Sequence, residues 1–412
     1  MPIFHTQNVL NGGEISPLLR GRVDQPRYNT GAREMLNMVP MPQGGTTRRP
    51  GTRYLGMAKN QTSRLVPFVF SETQGRILEF GDKTMRVWLP DGRLVSSGSE
   101  PYVVSPPFAA SDLRAVRFAQ SADVVYFAHP SYPPCKLSRY SDNDWRWATL
   151  TFMPSISAPQ QPALQILDKR ADDDKPKNPS RTDYSYLVTA IDGETGEESS
   201  ASPAATIEAE ALNSVDYHIR ITWPAVSGAS EYRIYKKKTG VFGFIGRASK
   251  DDTITATTTL QYYDDKNIGA DTEDTPIEHK NPFEGSGNYP SQVFFHQQRL
   301  GFAATANRPI TFWLSRTGDF ESMASSVPPK DDDAIEVTLA ATQANRIVWL
   351  QPDRNALAFG TEGSEWTLQS SEGVVLTPST VSFQLQTTNG GEGTVSALSV
   401  GGGVLYVQRG SG

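Results

Sequence analysis

Short alternating apolar runs separated by tight turns recur along this chain. The clearest set spans residues 346–370, where an apolar run is followed by a turn rich in Pro, Asp and Asn, a second run, a Gly-bearing turn and a third run. A strand shows apolar residues at every second position, and Pro, Asn and Gly mark the turns between strands. This segment therefore predicts a small antiparallel meander.

The same pattern begins again at Leu65, Ala115, Gln292 and Val395. Apart from one large insertion, the copies begin roughly fifty residues apart, a period in the range of β-propeller blades. A sandwich or a stack of separate meanders remains an alternative. The copy at Val395 contains only two strand-like runs before Gly412, which would leave an open sheet edge. We therefore expect the natural protein to continue, or another segment to complete this blade.

Composition supports an all-β fold with many turns, because Gly and Pro are plentiful (34 and 29 residues) and helical periodicity is scarce. With 412 residues, the chain is too long for one ordinary core. We predict a basic N-terminal arm over residues 1–60 and propeller blades over 61–154. An inserted sandwich should span 155–285, and further blades, the last incomplete, should span 286–412.

The insertion contains strand-like runs that carry Trp223 and, after a turn, Tyr232. These phrases resemble fibronectin type III modules, in which a Trp on one strand faces a Tyr-x-Ile-Tyr strand across the core. Here the turn at residues 192–199 precedes the Trp strand, whereas in the usual order it follows. We therefore expect an immunoglobulin-like sandwich with a permuted strand order. The insertion has 14 basic and 22 acidic residues, which suits a domain standing out in solvent.

The arm carries eight basic and three acidic residues, so it is basic while the rest of the chain is strongly acidic. We predict a short helix capped by Ser16, a second helix over residues 32–38, and an irregular segment over 40–53 that can hardly pack on itself. Docking onto a neighbouring subunit or another protein is expected, because Arg suits paired hydrogen bonds. A solvated, mobile terminus and a nucleic-acid-binding arm are alternatives, but the arm has no regular alternation of arginines and aromatic residues for stacking. The candidate docking residues are Arg20, Arg22, Arg27, Arg48, Arg49 and Arg53.

The net charge of −6 argues against a protein that grips nucleic acid over a broad basic face. The single cysteine, Cys135, excludes an intrachain disulfide. No apolar run is long enough for a membrane span, and the N-terminus lacks the features of a signal peptide. We therefore expect a soluble protein that is made in a cytoplasm and has no stable association with membranes.

No motif predicts catalysis. The histidines at positions 5, 129, 218, 279 and 296 have no metal-ligand spacing, and nucleophile-elbow, phosphate-loop and zinc-protease motifs are missing. Residues 264–271 and 331–333 are oxygen-rich, but a turn and a charged loop explain them better than a cation site. A pair of glycosidase carboxylates remains possible in any acidic β-protein, although the Asp-box repeats of a sialidase propeller are missing. We predict no enzyme activity, no cofactor and no metal.

A succession of phrases in the last third carries a second resemblance. In order, these are Gln-Arg-Leu-Gly-Phe at 298–302, Trp-Leu-Ser-Arg-Thr-Gly-Asp-Phe at 313–320, Asp-Asp-Asp-Ala-Ile-Glu-Val at 331–337 and Glu-Gly-Ser-Glu-Trp at 362–366. Two further segments lie in the arm: Gly-Gly-Glu-Ile-Ser at 12–16 and Arg-Arg-Pro at 48–50. With these segments in this order, the chain resembles the tail tubular protein B, or nozzle, family of short-tailed bacteriophages. The resemblance covers the arm and the blades but not the insertion, and members of that family are longer.

The resemblance implies a structural virion protein that forms a homo-oligomeric ring in the tail, with a hexamer as the expected ring. Expected partners are the adaptor protein beneath the portal and other tail proteins or fibres, with genome DNA only as passing cargo. The implied location is the virion tail, after assembly in the host cytoplasm. One alternative is a tail fibre or spike that binds or depolymerises cell-surface glycan. Another is an adhesin with propeller and fibronectin-like modules, which the missing signal peptide disfavours.

Overall fold

Nearly every element of the chain is a β-strand, as predicted. The computed structural model describes residues 7–71, 74–212, 216–253, 260–340, 345–353, 356–371, 373 and 375–410. The chain divides into two compact units, Met1–Met57 and Ala58–Gly412. The second unit contains propeller-like blades and an inserted immunoglobulin-like sandwich.

The first unit is an arm with very short elements. A parallel pair of strands and a hairpin are its regular parts, together with two short helices. In chain order these are β1 (Gly13–Glu14), a 3-10 helix (Pro17–Leu19), α1 (Pro26–Thr30), β2 (Gly31–Ala32), β3 (Met38–Pro40) and β4 (Thr46–Arg48).

The predicted cap is present in the arm: the Ser16 hydroxyl accepts a hydrogen bond from the Leu18 N–H at 3.3 Å. The predicted helix over residues 32–38 is wrong. Asn37 has a left-handed backbone (φ 55°), which ends any helix, and its carbonyl accepts from the Arg49 N–H at 2.9 Å. The expectation that residues 40–53 hardly pack on themselves is also wrong, because β3 and β4 pair and Gly44 is buried against Val9.

Two four-stranded antiparallel sheets open the second unit. Blade 1 contains β5 (Arg64–Ser71), β6 (Gln74–Gly81) and β7 (Thr84–Trp88); a small hairpin of β8 (Ser96–Ser97) and β9 (Glu100–Pro101) precedes its edge strand β10 (Val103–Val104). Blade 2 contains β11 (Arg117–Ser121), β12 (Val124–His129), β13 (Tyr132–Ser141) and β14 (Asp144–Thr149).

Blade 2 has two consecutive prolines within a strand. Pro133 and Pro134 lie within β13, where the pairing with β12 shifts register between Phe127 and His129. Proline lacks an N–H and is therefore tolerated at such a bulge.

The insertion is a sandwich of a three-stranded and a four-stranded sheet, with strand orders β15-β18-β21 and β17-β16-β19-β20. Trp223 on β18 and Tyr232 on β19 meet across the core with ring centroids 5.3 Å apart, as the sequence predicts. The strands are β15 (Ala163–Asp168), β16 (Arg181–Asp192), β17 (Ala205–Glu210), β18 (Tyr217–Pro224), β19 (Ala229–Lys238), β20 (Val241–Ser249) and β21 (Leu260–Asp265), with a 3-10 turn at Asp172–Asp174.

Two further four-stranded antiparallel sheets follow the sandwich. Blade 3 contains β22 (Gln292–His296), β23 (Arg299–Ala303), β24 (Thr311–Leu314) and β25 (Ile335–Thr338). Blade 4 contains β26 (Ile347–Pro352), β27 (Ala356–Thr361), β28 (Glu365–Ser370) and β29 (Val381–Thr387); part of the predicted turn after β26, residues 354–355, lies outside the described residues. A terminal hairpin pairs β30 (Leu398–Val400) with β31 (Gly403–Leu405).

The two-residue period of each strand places apolar side chains on both faces of the interior blades. On β24, Phe312 and Leu314 pack toward blade 4, while Trp313 between them packs toward blade 2. On β12, Val125 and Phe127 likewise belong to the core shared with blade 1. Each fully buried side chain of this size stabilises the fold by about 1.5–3 kcal/mol. Consecutive blades are therefore held face to face.

Candidate functional site

The six candidate docking arginines are all exposed and lie in the arm. Arg20 and Arg22 follow the 3-10 helix, and Arg27 lies in α1. Arg48 ends β4, and Arg49 and Arg53 follow it. The structure thus places the six in two groups along the chain, one around the short helices and one after the hairpin.

Two of these arginines are already engaged. Arg22 forms a bidentate pair with Asp24 at 2.8 and 2.6 Å, and this hydrogen bond raises the pKa of Arg22 and lowers that of Asp24. Arg49 donates from Nε to the Asn37 side chain at 2.7 Å. Within the described residues, Arg20, Arg27 and Arg48 have no acidic partner. These three are the arginines best able to meet carboxylates of another molecule.

The arm also exposes apolar side chains, which the sequence analysis did not identify. Leu18 is 91% exposed, Tyr54 77% and Met57 78%. Exposed apolar residues beside unpaired arginines are typical of protein interfaces. The sequence gives no signal for them, because short irregular segments have no hydrophobic period.

The first strands of the blades form a second candidate surface. β5, β11, β22 and β26 lie side by side in succession, as first strands do around a propeller axis. The Gln120 side chain on β11 accepts from the Val69 N–H at 3.0 Å and donates to the Val69 carbonyl at 2.9 Å on β5. Gln292 on β22 donates to the Val348 carbonyl on β26 at 3.0 Å. Side chains of one blade thereby occupy the backbone groups of the next.

Two arginines strengthen the same seam. Arg64 on β5 donates hydrogen bonds to the carbonyls of Leu113 and Val116. Its pKa is lowered mainly by burial and also by the positive charge of Arg117. Arg117 on β11 donates to the Gly393 carbonyl, which lies just before the terminal hairpin. Because their donors are taken up by backbone carbonyls, these arginines act as clamps between blades.

A cleft of about 830 Å³ lies between the sandwich and blade 3. Its sandwich wall includes Glu197, Glu198 and Arg233, and its blade wall includes Arg316 and Glu321. The cleft therefore has mixed charge, with acidic lining residues slightly outnumbering basic ones.

Most charges of the cleft are paired. Glu198 is buried and accepts from Arg233 at 3.0 Å and from the Tyr235 hydroxyl at 2.7 Å. Glu321 accepts from Lys136 of blade 2 at 2.5 Å. Across the cleft, Lys330 reaches Asp274 at 3.5 Å. The Lys330–Asp274 pair joins blade 3 to the insertion, whereas the Glu321–Lys136 pair joins blades 2 and 3.

Two cleft groups have shifted pKa values. The Asp319 carboxylate faces the cleft. Protein atoms around it displace part of its water, and this partial burial, together with the negative charge of Glu197, raises its pKa. Burial lowers the pKa of His279, so its imidazole is neutral near pH 7. A raised carboxyl pKa is a feature of general acids. Glu197 and Glu321 are the carboxylates whose negative charges add to this shift.

The oxygen-rich segments are occupied by protein groups. Asp264 holds Arg220 through two hydrogen bonds of 2.7 Å, and buried Asp265 accepts from the Tyr186 hydroxyl at 2.7 Å. The backbone carbonyls of Asp331 and Asp333 accept from Arg299, which is 1% exposed. Among the described residues, no group of three or more His, Cys, Asp or Glu side chains could hold a metal ion.

The single cysteine and the histidine at position 129 lie within blade 2 and contact other protein groups. Cys135 is buried in blade 2, and burial strongly raises the pKa of its thiol. His129 accepts from the Ser131 N–H at 3.0 Å, whereas His5 lies outside the described residues. No helix within the described part of the chain has both the length and the apolar character needed to cross a membrane.

No family model and no curated protein matches this chain. Solved structures give weak similarities, each at low identity. These are the computationally designed Ika8 protein (12% identity, 84% of this chain and 94% of that chain, TM-score 0.18), Kluyveromyces lactis Hsv2 (9%, 84% and 89%, 0.23) and the Neurospora crassa Pan2 WD40 domain (11%, 72% and 84%, 0.13). These TM-scores are too low to support an argument about function.

Proposed function

We propose that this chain is a structural virion protein, a subunit of the tail tube or nozzle of a short-tailed bacteriophage, through which genome DNA is ejected. The observation that carries this proposal is the seam of first strands. Gln120 and Gln292 tie one blade to the next through backbone groups, and Arg64 and Arg117 add clamps. A seam of this kind suits a rigid wall.

Several residues of the segments that carry the resemblance are buried or hydrogen-bonded within the blades. Arg299 is the buried anchor of blade 3, and Trp313 fills the core between blades 2 and 3. Trp366 lies on β28 of blade 4, where its indole donates to Ser364 at 2.7 Å. These residues maintain the wall, which supports a shared architecture with the phage family.

The charge distribution is compatible with a conduit for DNA. The body is acidic, while the basic residues of the arm are concentrated near one terminus. DNA that must slide past a wall is slowed by phosphate contacts, since each one releases counterions and adds binding energy. The blade segments 61–154 and 286–412 have 17 basic and 20 acidic residues, so the wall offers DNA no net positive charge, and the arm is left to dock on the adaptor or on a neighbouring subunit of the ring.

Immunogold electron microscopy of particles from the phage that encodes this chain tests the proposal. An antibody against the sandwich should label the distal tail of intact virions, and particles assembled without the protein should carry filled heads with incomplete tails. Label on lateral fibres only, or complete tails without the protein, would reject the proposal.

The cleft favours a second candidate, a tail component that binds cell-surface glycan. A volume of about 830 Å³ with many polar groups could accommodate a short oligosaccharide. A glycan array with the full chain separates the two functions. Specific binding that is lost in Arg247→Ala, whose side chain is 61% exposed in the cleft wall, would favour the glycan reading.

A further inference from the structure

A lysine and an aspartate face the core of the sandwich, at positions where the strand pattern calls for apolar side chains. On β19, Lys236 lies on the same side as Tyr232 and Ile234, which are both fully buried. On β21, Asp265 lies on the same side as Tyr263, which packs against that core. Because side chains alternate between the two faces of a strand, both charged groups point inward. Lys236 is 8% exposed and Asp265 is 0% exposed.

The two groups meet between the sheets of the sandwich. β19 belongs to the four-stranded sheet and β21 to the three-stranded sheet, so no backbone pairing joins these two strands. The Nζ atom of Lys236 lies 2.7 Å from Oδ2 of Asp265. Separated charges are unfavourable in surroundings from which water is excluded. Transfer of one proton from the ammonium to the carboxylate gives an amine beside a carboxylic acid, the two groups from which an amide forms.

Hydrogen-bond donors surround the carboxyl group. The Tyr186 hydroxyl donates to Oδ2 of Asp265 at 2.7 Å, and the Ile268 N–H donates to Oδ1 at 2.9 Å. Burial, and after it the charge of Asp265, strongly raises the pKa of Tyr186, so its hydroxyl keeps the proton that it donates. The Ile268 carbonyl accepts from Lys236 Nζ at 3.3 Å and orients the amine. Donors on both carboxyl oxygens stabilise the negative charge that develops when an amine attacks the carboxyl carbon.

We propose that Lys236 and Asp265 form an isopeptide bond with each other once the sandwich has folded. The Nζ–Cγ bond forms and the Cγ–Oδ2 bond breaks. Of the three ammonium protons, one stays on the amide nitrogen and two leave with Oδ2 as water, so the step needs no oxidant and no other reactant. The Tyr186 hydroxyl assists by its hydrogen bond to the departing oxygen. This modification does not depend on the proposed function of the chain.

The bond joins the two sheets covalently. It connects β19 to the end of β21 and closes a loop of the chain that contains β20. A cross-link of this kind restricts the unfolded chain, as a disulfide does. The single cysteine of the chain lies in blade 2 and cannot supply such a link to the sandwich.

Mass spectrometry of the denatured full chain tests the proposal. The natural chain should be lighter than its sequence by one water molecule, and its tryptic digest should contain a branched peptide that joins the segments around Lys236 and Asp265. Lys236→Arg keeps the positive charge but removes the amine nucleophile, so this variant should have the full mass of its sequence and no branched peptide. Tyr186→Phe removes one donor and should slow bond formation by about 100-fold, so its unlinked fraction should be measurable and should decline with time.

The digest of the natural chain contains its own controls and remains informative even if a variant misfolds. Lys280 and Glu336 also pair, at 3.1 Å, but their side chains are 43% and 28% exposed, and they should give no branched peptide. Ring closure at the Asp-Gly steps of Asp91 and Asp192 also loses water, but it leaves unbranched peptides. A natural chain of full mass, a mass loss without the branched peptide, or a Tyr186→Phe chain that links as fast as the natural one would overturn the proposal.

Discussion

The side-chain amide of Gln120 forms two hydrogen bonds with the backbone of one residue, Val69, on the neighbouring blade. It thereby replaces the strand partner that the edge of blade 1 lacks at this point. A backbone N–H and carbonyl that are both occupied are less open to pairing with foreign strands. The two hydrogen bonds therefore join blade 2 to blade 1 and also protect the edge of blade 1 from pairing with other strands.

Replacing Gln120 with Met should therefore loosen blade 1 from blade 2. The variant keeps the length of the side chain but leaves both Val69 groups to the solvent, so the free energy of unfolding should fall by about 1–2 kcal/mol. Urea denaturation followed by tryptophan fluorescence measures this change. Gln386→Met is the control: that side chain donates to Thr367 within blade 4, and its loss should change stability by less than about 0.5 kcal/mol. Equal effects of the two variants would contradict the role of Gln120 at the seam.

The sequence predicts what depends on local alternation and misses what depends on long-range contact. The alternation over residues 346–370 predicts a small antiparallel meander, and β26, β27 and β28 form one. By contrast, Gln120 and Val69 are 51 residues apart, and nothing in either local pattern indicates that they meet.

Arg299 illustrates the same limit. An arginine in a strand is normally expected at the surface, because burying its charge is unfavourable. Here three backbone carbonyls, those of Ser315, Asp331 and Asp333, supply the acceptors. They come from loops whose course the sequence does not specify. The cleft between the sandwich and the blades was missed for the same reason, since its walls come from distant parts of the chain.

Trp223 is expected to be the most sensitive position of the sandwich. Its side chain is fully buried against Tyr232, so Trp223→Ala should lower the stability of the sandwich by about 3–5 kcal/mol. Limited proteolysis with mass spectrometry should show new cleavage within residues 155–285. The blades have separate cores and should retain their protection in hydrogen exchange. Simultaneous loss of protection in blades 1 to 4 would show that the sandwich and blades unfold as one.

Glu79 should make blade 1 sensitive to acid. Burial opposes its ionisation, but hydrogen bonds from Arg86, the Lys59 N–H and the Trp88 indole outweigh burial and lower its pKa. The folded state therefore binds a proton less readily than the unfolded chain. The stabilisation is complete above the ordinary pKa of 4.5 and is lost as the pH falls through the lowered value.

Glu79→Gln should remove this stabilisation at neutral pH, at a cost of about 3–5 kcal/mol, because a buried ion pair loses its negative member. Thermal midpoints between pH 3 and 7, measured by circular dichroism, test both statements. Asp91→Asn in the exposed pair with Arg93 is the control and should have an effect below about 1 kcal/mol. A Glu79→Gln protein as stable as the natural chain at pH 7 would refute the assignment.

His296 should give a second, separate dependence on pH. It is 5% exposed at the end of β22, and burial lowers its pKa from the ordinary 6.5. Since the unfolded chain takes up the proton first, stability should fall as the pH drops below 6.5. In His296→Gln this loss should become smaller but not vanish, because burial also lowers the pKa of His279. Comparing urea midpoints of the two proteins at pH 5 and 8 tests the prediction; parallel curves would contradict it.

Reversing the charge of the arginines that have no acidic partner should prevent the arm from binding its partner, and the stability of the rest of the chain should not change. Arg20, Arg27 and Arg48 are exposed and have no acidic partner within the described residues, so a triple change to Glu breaks no ion pair of the described part of the chain. Under the proposed function, the variant should fail to join tails in complementation of a phage that lacks this gene, and its thermal midpoint should match that of the natural protein. The matched control reverses Arg22 together with its partner, as Arg22→Asp with Asp24→Arg, which keeps the local ion pair and should complement normally. If the triple variant assembles infectious tails at the natural rate, docking does not depend on these arginines, and the exposed Leu18, Tyr54 and Met57 become the residues to replace next.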